Sequence, residues 1–208
     1  AGEPLSTPTF APTAAVLKFD GVDTVSGGTS ATLAAVFGCL VYDTTVAGKG
    51  LCYNYFGGTN SVTDGTFIYA FFGSRGLYCL DPKGELKWQQ DLGRMQTLHA
   101  HGEGSSPVLY GDALIVCWDH EGDSFLYAFD KRTGKERWKV ARDEKTSWAT
   151  PLVVEHEGKP QIIVSATKRV RGYDLATGTQ LWECAGLTDN VVSSPVFSQG
   201  VVIAGNSY

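Results

Sequence analysis

The feature that most restricts the fold of this chain is an internal repeat. Pro107, Pro151 and Pro195 stand 44 residues apart. They open the matching runs Ser105-Ser106-Pro107-Val108-Leu109, Ala149-Thr150-Pro151-Leu152-Val153 and Ser193-Ser194-Pro195-Val196-Phe197. Trp138 lies 31 residues after Pro107, and Trp182 lies 31 after Pro151. Two markers in one register mean a structural unit copied along the chain, each copy burying its apolar face against the next.

Turn signals divide each unit into four strand-like pieces. In the best unit these are Pro107 to Tyr110, Ala113 to Trp118, Ser124 to Asp130 and Lys135 to Val140, separated by Gly111-Asp112, the polar loop Asp119 to Asp123, and Thr133-Gly134. Phe125, Tyr127 and Phe129 alternate along the third piece, which is the period of a β-strand, and no segment sustains a helical period. Four short antiparallel strands in a unit of this length predict an all-β protein, a β-propeller of four-stranded blades. The blades fall at 62–92, 107–140 and 151–185, with a half blade at 195–208 and a degenerate one at 39–58. Residues 1–38 do not follow the repeat and read as a linker or unassigned segment, Pro-, Ala- and Thr-rich at its start. The expectation is a partial propeller, three complete blades plus half blades, that needs further blades or another chain to close.

The third and fourth strands carry Asp130-x-x-Thr133-Gly134-Lys135-x-x-Trp138, repeated as Asp174-x-x-Thr177-Gly178-x-x-x-Trp182 and, one residue shorter, as Asp81-x-x-Gly84-x-x-x-Trp88. The pattern has a mechanical reading. Asp and Thr hydrogen-bond within the turn, Gly supplies its backbone freedom, and Trp88, Trp138 and Trp182 offer apolar plates to the neighbouring blade.

Over about residues 62–208 the pattern resembles the tryptophan-docking motif of pyrroloquinoline-quinone-type propellers. It is nearer to the quinone-free scaffold members than to the quinoprotein dehydrogenases. The resemblance implies a non-catalytic scaffold in the periplasm or secreted, binding a protein or an extended peptide. The alternative it raises is a fragment of a quinoprotein dehydrogenase holding pyrroloquinoline quinone and calcium. Dehydrogenases of that family commonly carry adjacent cysteines beside the cofactor, and this sequence has no Cys-Cys pair. The expectation is therefore no cofactor and no catalytic residues.

Composition narrows the remaining classes. A net charge of −5 and the absence of a sustained basic block exclude a nucleic-acid surface. Lys168-Arg169-Val170-Arg171, the single basic cluster, reads as a solvated strand end. No run reaches the roughly 20 apolar residues of a membrane-spanning helix. The five cysteines are odd in number and contain no C-x-x-C pair, so they predict neither a zinc ribbon nor a disulfide framework. Cys79 and Cys117 sit in apolar strand patterns as small hydrophobes. The G-x-S-x-G, H-E-x-x-H, P-loop and dinucleotide motifs are absent.

Strand alternation assigns the loops to faces. Connections from the fourth strand into the next blade emerge on the same side as those from the second strand to the third. That face collects the binding candidates His99, His101, Asp119, His120, Trp148, Lys168, Arg169 and Asn190, in loops on a rigid scaffold. His99-Ala100-His101, set on a strand, would point two imidazoles to one side, but no third ligand accompanies them, so no metal site is expected.

Overall fold

The computed structural model describes residues 15–19, 39–43, 50–53, 60–189 and 191–206. Asn190 and most of segment 1–38 lie outside the described residues.

Short apolar runs bounded by Gly and Asp turns become strands because a pleated ribbon buries alternate side chains on each face. The first blade comprises β4 (Asn60–Thr63), β5 (Ile68–Phe71), β6 (Leu77–Leu80) and β7 (Leu86–Gln90), numbering from a preceding sheet of β1 (Ala15–Phe19), β2 (Cys39–Asp43) and β3 (Gly50–Tyr53). The second holds β8 (Val108–Tyr110), β9 (Ala113–Trp118), β10 (Ser124–Asp130) and β11 (Glu136–Arg142). The third holds β12 (Leu152–His156), β13 (Lys159–Ala166), β14 (Arg169–Asp174) and β15 (Gln180–Ala185). The hairpin of β16 (Val196–Ser198) and β17 (Val201–Ile203) begins another. Strand order within each four-stranded sheet follows the chain and every pairing is antiparallel. The architecture is an all-β partial propeller.

The core lies between blades. Tyr69, Phe71 and Leu77 of the first blade meet Leu114, Val116, Trp118, Tyr127 and Phe129 of the second. The alternate residues of β9, Ala113, Ile115 and Cys117, face the other way and meet Ile162, Val164 and Tyr173 of the third. Every residue of β9 is thus buried, which explains its unbroken apolar run. A third cluster joins Val154, Ile163 and Val170 to Val202 and Ala204 from the start of the next blade. The buried Cys79 thiol is pushed up to about 12 by loss of solvent, so Cys79 is a hydrophobe, as is buried Cys117. Cys184 is exposed on β15.

The Asp-Thr-Gly turns are built alike. Asp130 Oδ1 accepts from the N–H groups of Arg132 (3.1 Å) and Thr133 (3.0 Å) and from the Thr133 hydroxyl (3.0 Å). Asp174 Oδ1 accepts from the Thr177 N–H (2.8 Å) and hydroxyl (2.9 Å). Asp81 Oδ1 takes the N–H groups of Lys83 and Glu85, both at 2.9 Å. Gly134 and Gly178, at φ +70° and +73°, then close the turns in the left-handed region.

Each of those two glycines lies beneath the tryptophan of the preceding blade. A Cβ on Gly134 would come within 2.7 Å of the Trp88 ring, and one on Gly178 within 2.7 Å of the Trp138 ring. Trp88 Nε1 donates to Lys131 O, and Trp138 Nε1 to Leu175 O, each at 3.0 Å, so the indole N–H is satisfied by the turn it covers. Trp182 makes a different polar contact: its Nε1 donates to Gln161 Oε1 in its own blade at 3.0 Å. Its ring lies against Gly172, which has no room for a methyl group.

Two further regularities accompany the tryptophans. The residue across the strand pair is small every time, with Cys79 facing Trp88, Ala128 facing Trp138 and Gly172 facing Trp182. The register shifts at that point in all three blades, a bulge that bends the outer strand. The Ser/Thr-Pro openings join neighbouring blades. Ser106 N donates to Thr150 Oγ1 (3.1 Å) and Thr150 N to Ser194 Oγ (2.9 Å).

Trp138→Ala removes both the plate and its hydrogen bond, and should cost about 3–5 kcal/mol in urea unfolding. The turn aspartates predict an acid limb. The Arg137 guanidinium, 2.8 Å away, acts most strongly on Asp130 and, with Thr133 and against desolvation, lowers its pKa from 3.8 to about 2. Because the folded value lies below the unfolded one, this stabilisation is full above about pH 4 and is lost as pH falls through 2. Asp130→Asn should flatten that part of the stability profile, measured by thermal unfolding against pH.

Candidate functional site

The two loop sets meet on one face. Glu103, in the connection between the first two blades, accepts from both the N–H and the hydroxyl of Ser74, in the β5–β6 turn. Glu121, in the β9–β10 loop, donates its N–H to Gln96 O at 2.7 Å, and its carboxylate accepts from the Thr146 hydroxyl at 2.6 Å. Thr146 Oγ1 in turn accepts from Leu98 N at 3.0 Å. Connections from two blade junctions are thereby tied through one loop.

The sequence-predicted candidates divide into two groups. His99, His101 and Trp148 come together at the surface. The His99 and His101 rings stand 5.6 Å apart edge to face, and His101 lies 6.5 Å from Trp148. Trp148 Nε1 donates to Gly102 O at 2.9 Å, which fixes the indole against the preceding connection. His99 sits in a short 3-10 turn at φ +52°. The alternating geometry of a strand is therefore absent at His99-Ala100-His101. Lys168 is exposed in the β13–β14 turn. Arg169 is half-buried, 3.5 Å from Glu183 and 3.8 Å from Asp143.

Asp119 and His120 are interior. His120 Nδ1 accepts the N–H groups of Gln96 and Gly122, both at 3.1 Å. That fixes Nδ1 as the acceptor and leaves Nε2 to donate to Asp123 O at 2.9 Å. Both nitrogens are occupied in holding the loop. Asp119 grips Arg142 in a two-pronged pair, Oδ1 to Nε at 2.8 Å and Oδ2 to Nη2 at 3.0 Å, and also accepts from Ser147 Oγ at 2.8 Å. Arg142 Nη1 donates to the Tyr173 hydroxyl. Both side chains of the ion pair are fully shielded from solvent.

Arg171 departs from the expected solvated strand end. It is buried, with Nη1 2.8 Å from Glu144 Oε1 and Nε 3.3 Å from Glu183 Oε2, and it also meets Asp143. Arg142, Glu144, Ser147, Arg171 and Tyr173 therefore form a polar network at the junction of the second and third blades. The signal available in the sequence was the pairing of Arg142-Asp143-Glu144 with Lys168-Arg169-Val170-Arg171, two runs whose opposite charges face one another once the blades are stacked. Among the described residues no group of three or more His, Cys, Asp or Glu side chains is arranged to hold a metal ion.

A family model described as outer membrane protein assembly factor BamB matches residues 29–208. The chain belongs to that family. Among solved structures it is similar to BamB from Moraxella catarrhalis, at 17% identity and a TM-score of 0.58, covering 81% of this chain and 55% of that one. It also aligns with a europium-containing methanol dehydrogenase at 23% identity and a TM-score of 0.48, covering 64% of this chain and 26% of that one. The quinohemoprotein alcohol dehydrogenase of Comamonas testosteroni aligns at 19% identity and a TM-score of 0.44, over 62% and 21% of the two chains. The chain spans about half the length of the BamB structure. No curated protein sequence matches it.

In this BamB-family chain the Asp119–Arg142 pair couples the end of one strand to the next connection, so its loss is structural. Asp119→Ala strands a buried guanidinium and should destabilise by about 3–5 kcal/mol. Replacing the pair together by apolar residues of similar volume should cost much less, and a double-mutant cycle in urea reads the difference.

Proposed function

We propose that the chain is a non-catalytic propeller scaffold that binds a protein or an extended peptide on its loop face, around His99, His101, Trp148 and Lys168, outside the cytoplasm in the periplasm or a secreted setting. The family match over residues 29–208 carries this reading. The geometry supports it. The groups on this face with acid–base or nucleophilic chemistry are largely engaged in holding loops, as with Asp119, His120, Ser147 and Glu103. What stays accessible is the aromatic and imidazole surface of His99, His101 and Trp148 and, in the β13–β14 turn, exposed Lys168, a composition suited to protein recognition. Val196, Val201 and Ile203 are 56%, 58% and 59% exposed on the β16–β17 hairpin, an apolar surface open to a partner strand.

The surroundings of two buried carboxylates weigh against the quinone alternative. Calcium takes carboxylate oxygens, and the buried carboxylates of this face, Asp119 and Glu144, already have guanidinium groups 2.8 Å away. A calcium ion there would sit beside Arg142 and Arg171.

Peptides selected from a displayed library against the chain, measured by calorimetry, should bind at micromolar affinity and lose at least about tenfold on Trp148→Ala. Indifference of every selected peptide to Trp148→Ala and His101→Ala would place recognition elsewhere. Saturable binding of pyrroloquinoline quinone with calcium at micromolar affinity or tighter would replace the scaffold reading with the quinoprotein one.

A further inference from the structure

The connection between the second and third blades holds a carboxylate in an unusual position. Glu144 is 4% exposed, and its Oε1 has no hydrogen-bond donor although Arg171 Nη1 lies 2.8 Å away. The contact is an ion pair without the alignment of a hydrogen bond. Arg171 is divided three ways, since Asp143 and Glu183 also draw on it. Arg142, from β11, is held by Asp119 and Tyr173. Arg169, from β14, lies between Asp143 and Glu183. Lys145, the next residue, turns away to Glu121 O at 2.8 Å. Four carboxylates, Asp119, Asp143, Glu144 and Glu183, thus face three guanidinium groups. Asp143 and Glu183 keep access to water, with side chains 73% and 48% exposed, and Asp119 has a two-pronged partner of its own. The surplus negative charge therefore falls on Glu144, whose side chain is 1% exposed and whose Oε1 has no hydrogen-bond donor.

We propose that the connection around Glu144 is a proton-operated latch: a proton on Glu144 seats it against the third blade, and ionisation of Glu144 loosens it. The electrostatics run the same way. Burial is the largest influence and raises the Glu144 pKa from the ordinary 4.5 to about 7, outweighing Arg142, Arg171 and Arg169, with Asp119 adding to the rise. The folded value lies above the unfolded one, so the stabilisation is complete below about pH 4.5 and is lost as pH rises through 7. The same connection carries Thr146, bonded to Glu121, Ser147, bonded to Asp119, and Trp148, bonded to Gly102. Loosening it frees the largest side chain of the loop face, whatever that face binds.

Amide hydrogen exchange of residues 143–148 in the full chain tests the latch. After correction for the intrinsic pH dependence, the opening equilibrium should rise at least about tenfold between about pH 5 and pH 8. The rise should vanish in Glu144→Gln and persist in Asp143→Asn. A flat profile in the unmodified chain overturns the proposal, as does a rise that survives Glu144→Gln or disappears with Asp143→Asn. Should Glu144→Gln fail to fold, carbon-13 titration of the Glu144 side-chain carboxyl in the unmodified chain decides instead. A midpoint near 7 supports the latch, and one near the ordinary 4.5 overturns it.

Discussion

The contact on which the other features depend is an indole laid across a glycine. Trp88 on Gly134 and Trp138 on Gly178 each span the gap between two blades, and each indole N–H donates to a carbonyl of the turn beneath. The glycine is required twice, for the left-handed backbone of the turn and for the space under the ring. The aspartate is required because its carboxylate replaces strand pairing for the turn N–H groups. One side chain thus imposes residue choice on the following blade, and this is why the motif recurs as a set. An isolated four-stranded blade would leave such an indole bare and β9 exposed on both faces, so blades gain stability only in stacks.

The charged network between the second and third blades obeys a different rule. Taking Asp119 and Arg142 out of water costs several kcal/mol per ion, recovered only when the geometry is good and the remaining donors are used. Here they are used, by Ser147 and Tyr173. A well-packed apolar pair would serve stability as well, but it would not tie a strand end, a connection and the next blade in one orientation. Glu144 is the unmatched remainder of that arrangement. The network fixes the Asp119–Arg142 half firmly and leaves its neighbour sensitive to a proton.

The repeat, the four strands per unit and the Asp-Thr-Gly-Trp turns were legible because each is a strong local signal at a fixed offset. The shared position of the bulge was not, since a small residue opposite Trp reads as Cys79, Ala128 or Gly172 with no common chemistry. The buried fates of Asp119, His120 and Arg171 were invisible for another reason. Loop polarity in sequence does not distinguish a side chain offered to solvent from one bonded to a neighbouring loop, and each of these residues has a partner more than 20 residues away, in Asp119–Arg142, Gln96–His120 and Asp143–Arg171. Strand alternation alone, which demands only that successive strands reverse, assigns His99, His101 and Trp148 to one face, and their rings stand 5.6 Å and 6.5 Å apart in sequence order.

The two ends of the blades differ in how far they keep the repeat. At the turn end Asp81, Asp130 and Asp174 perform one task, each accepting backbone N–H of its own turn. At the loop end each set of contacts is different, with Ser74 and Glu103 between the first two blades, His120, Glu121 and Thr146 along the β9–β10 loop, and the arginine–carboxylate network between the second and third blades. Packing alone would favour repetition there too, because the same strands enter the same loops. Hydrogen bonds that differ from blade to blade hold each loop in its own conformation, and a surface assembled from unlike loops can be asymmetric where the turn end cannot. Selective recognition needs that asymmetry, so the rim around His101 and Trp148 is the part of this propeller that architecture by itself does not explain.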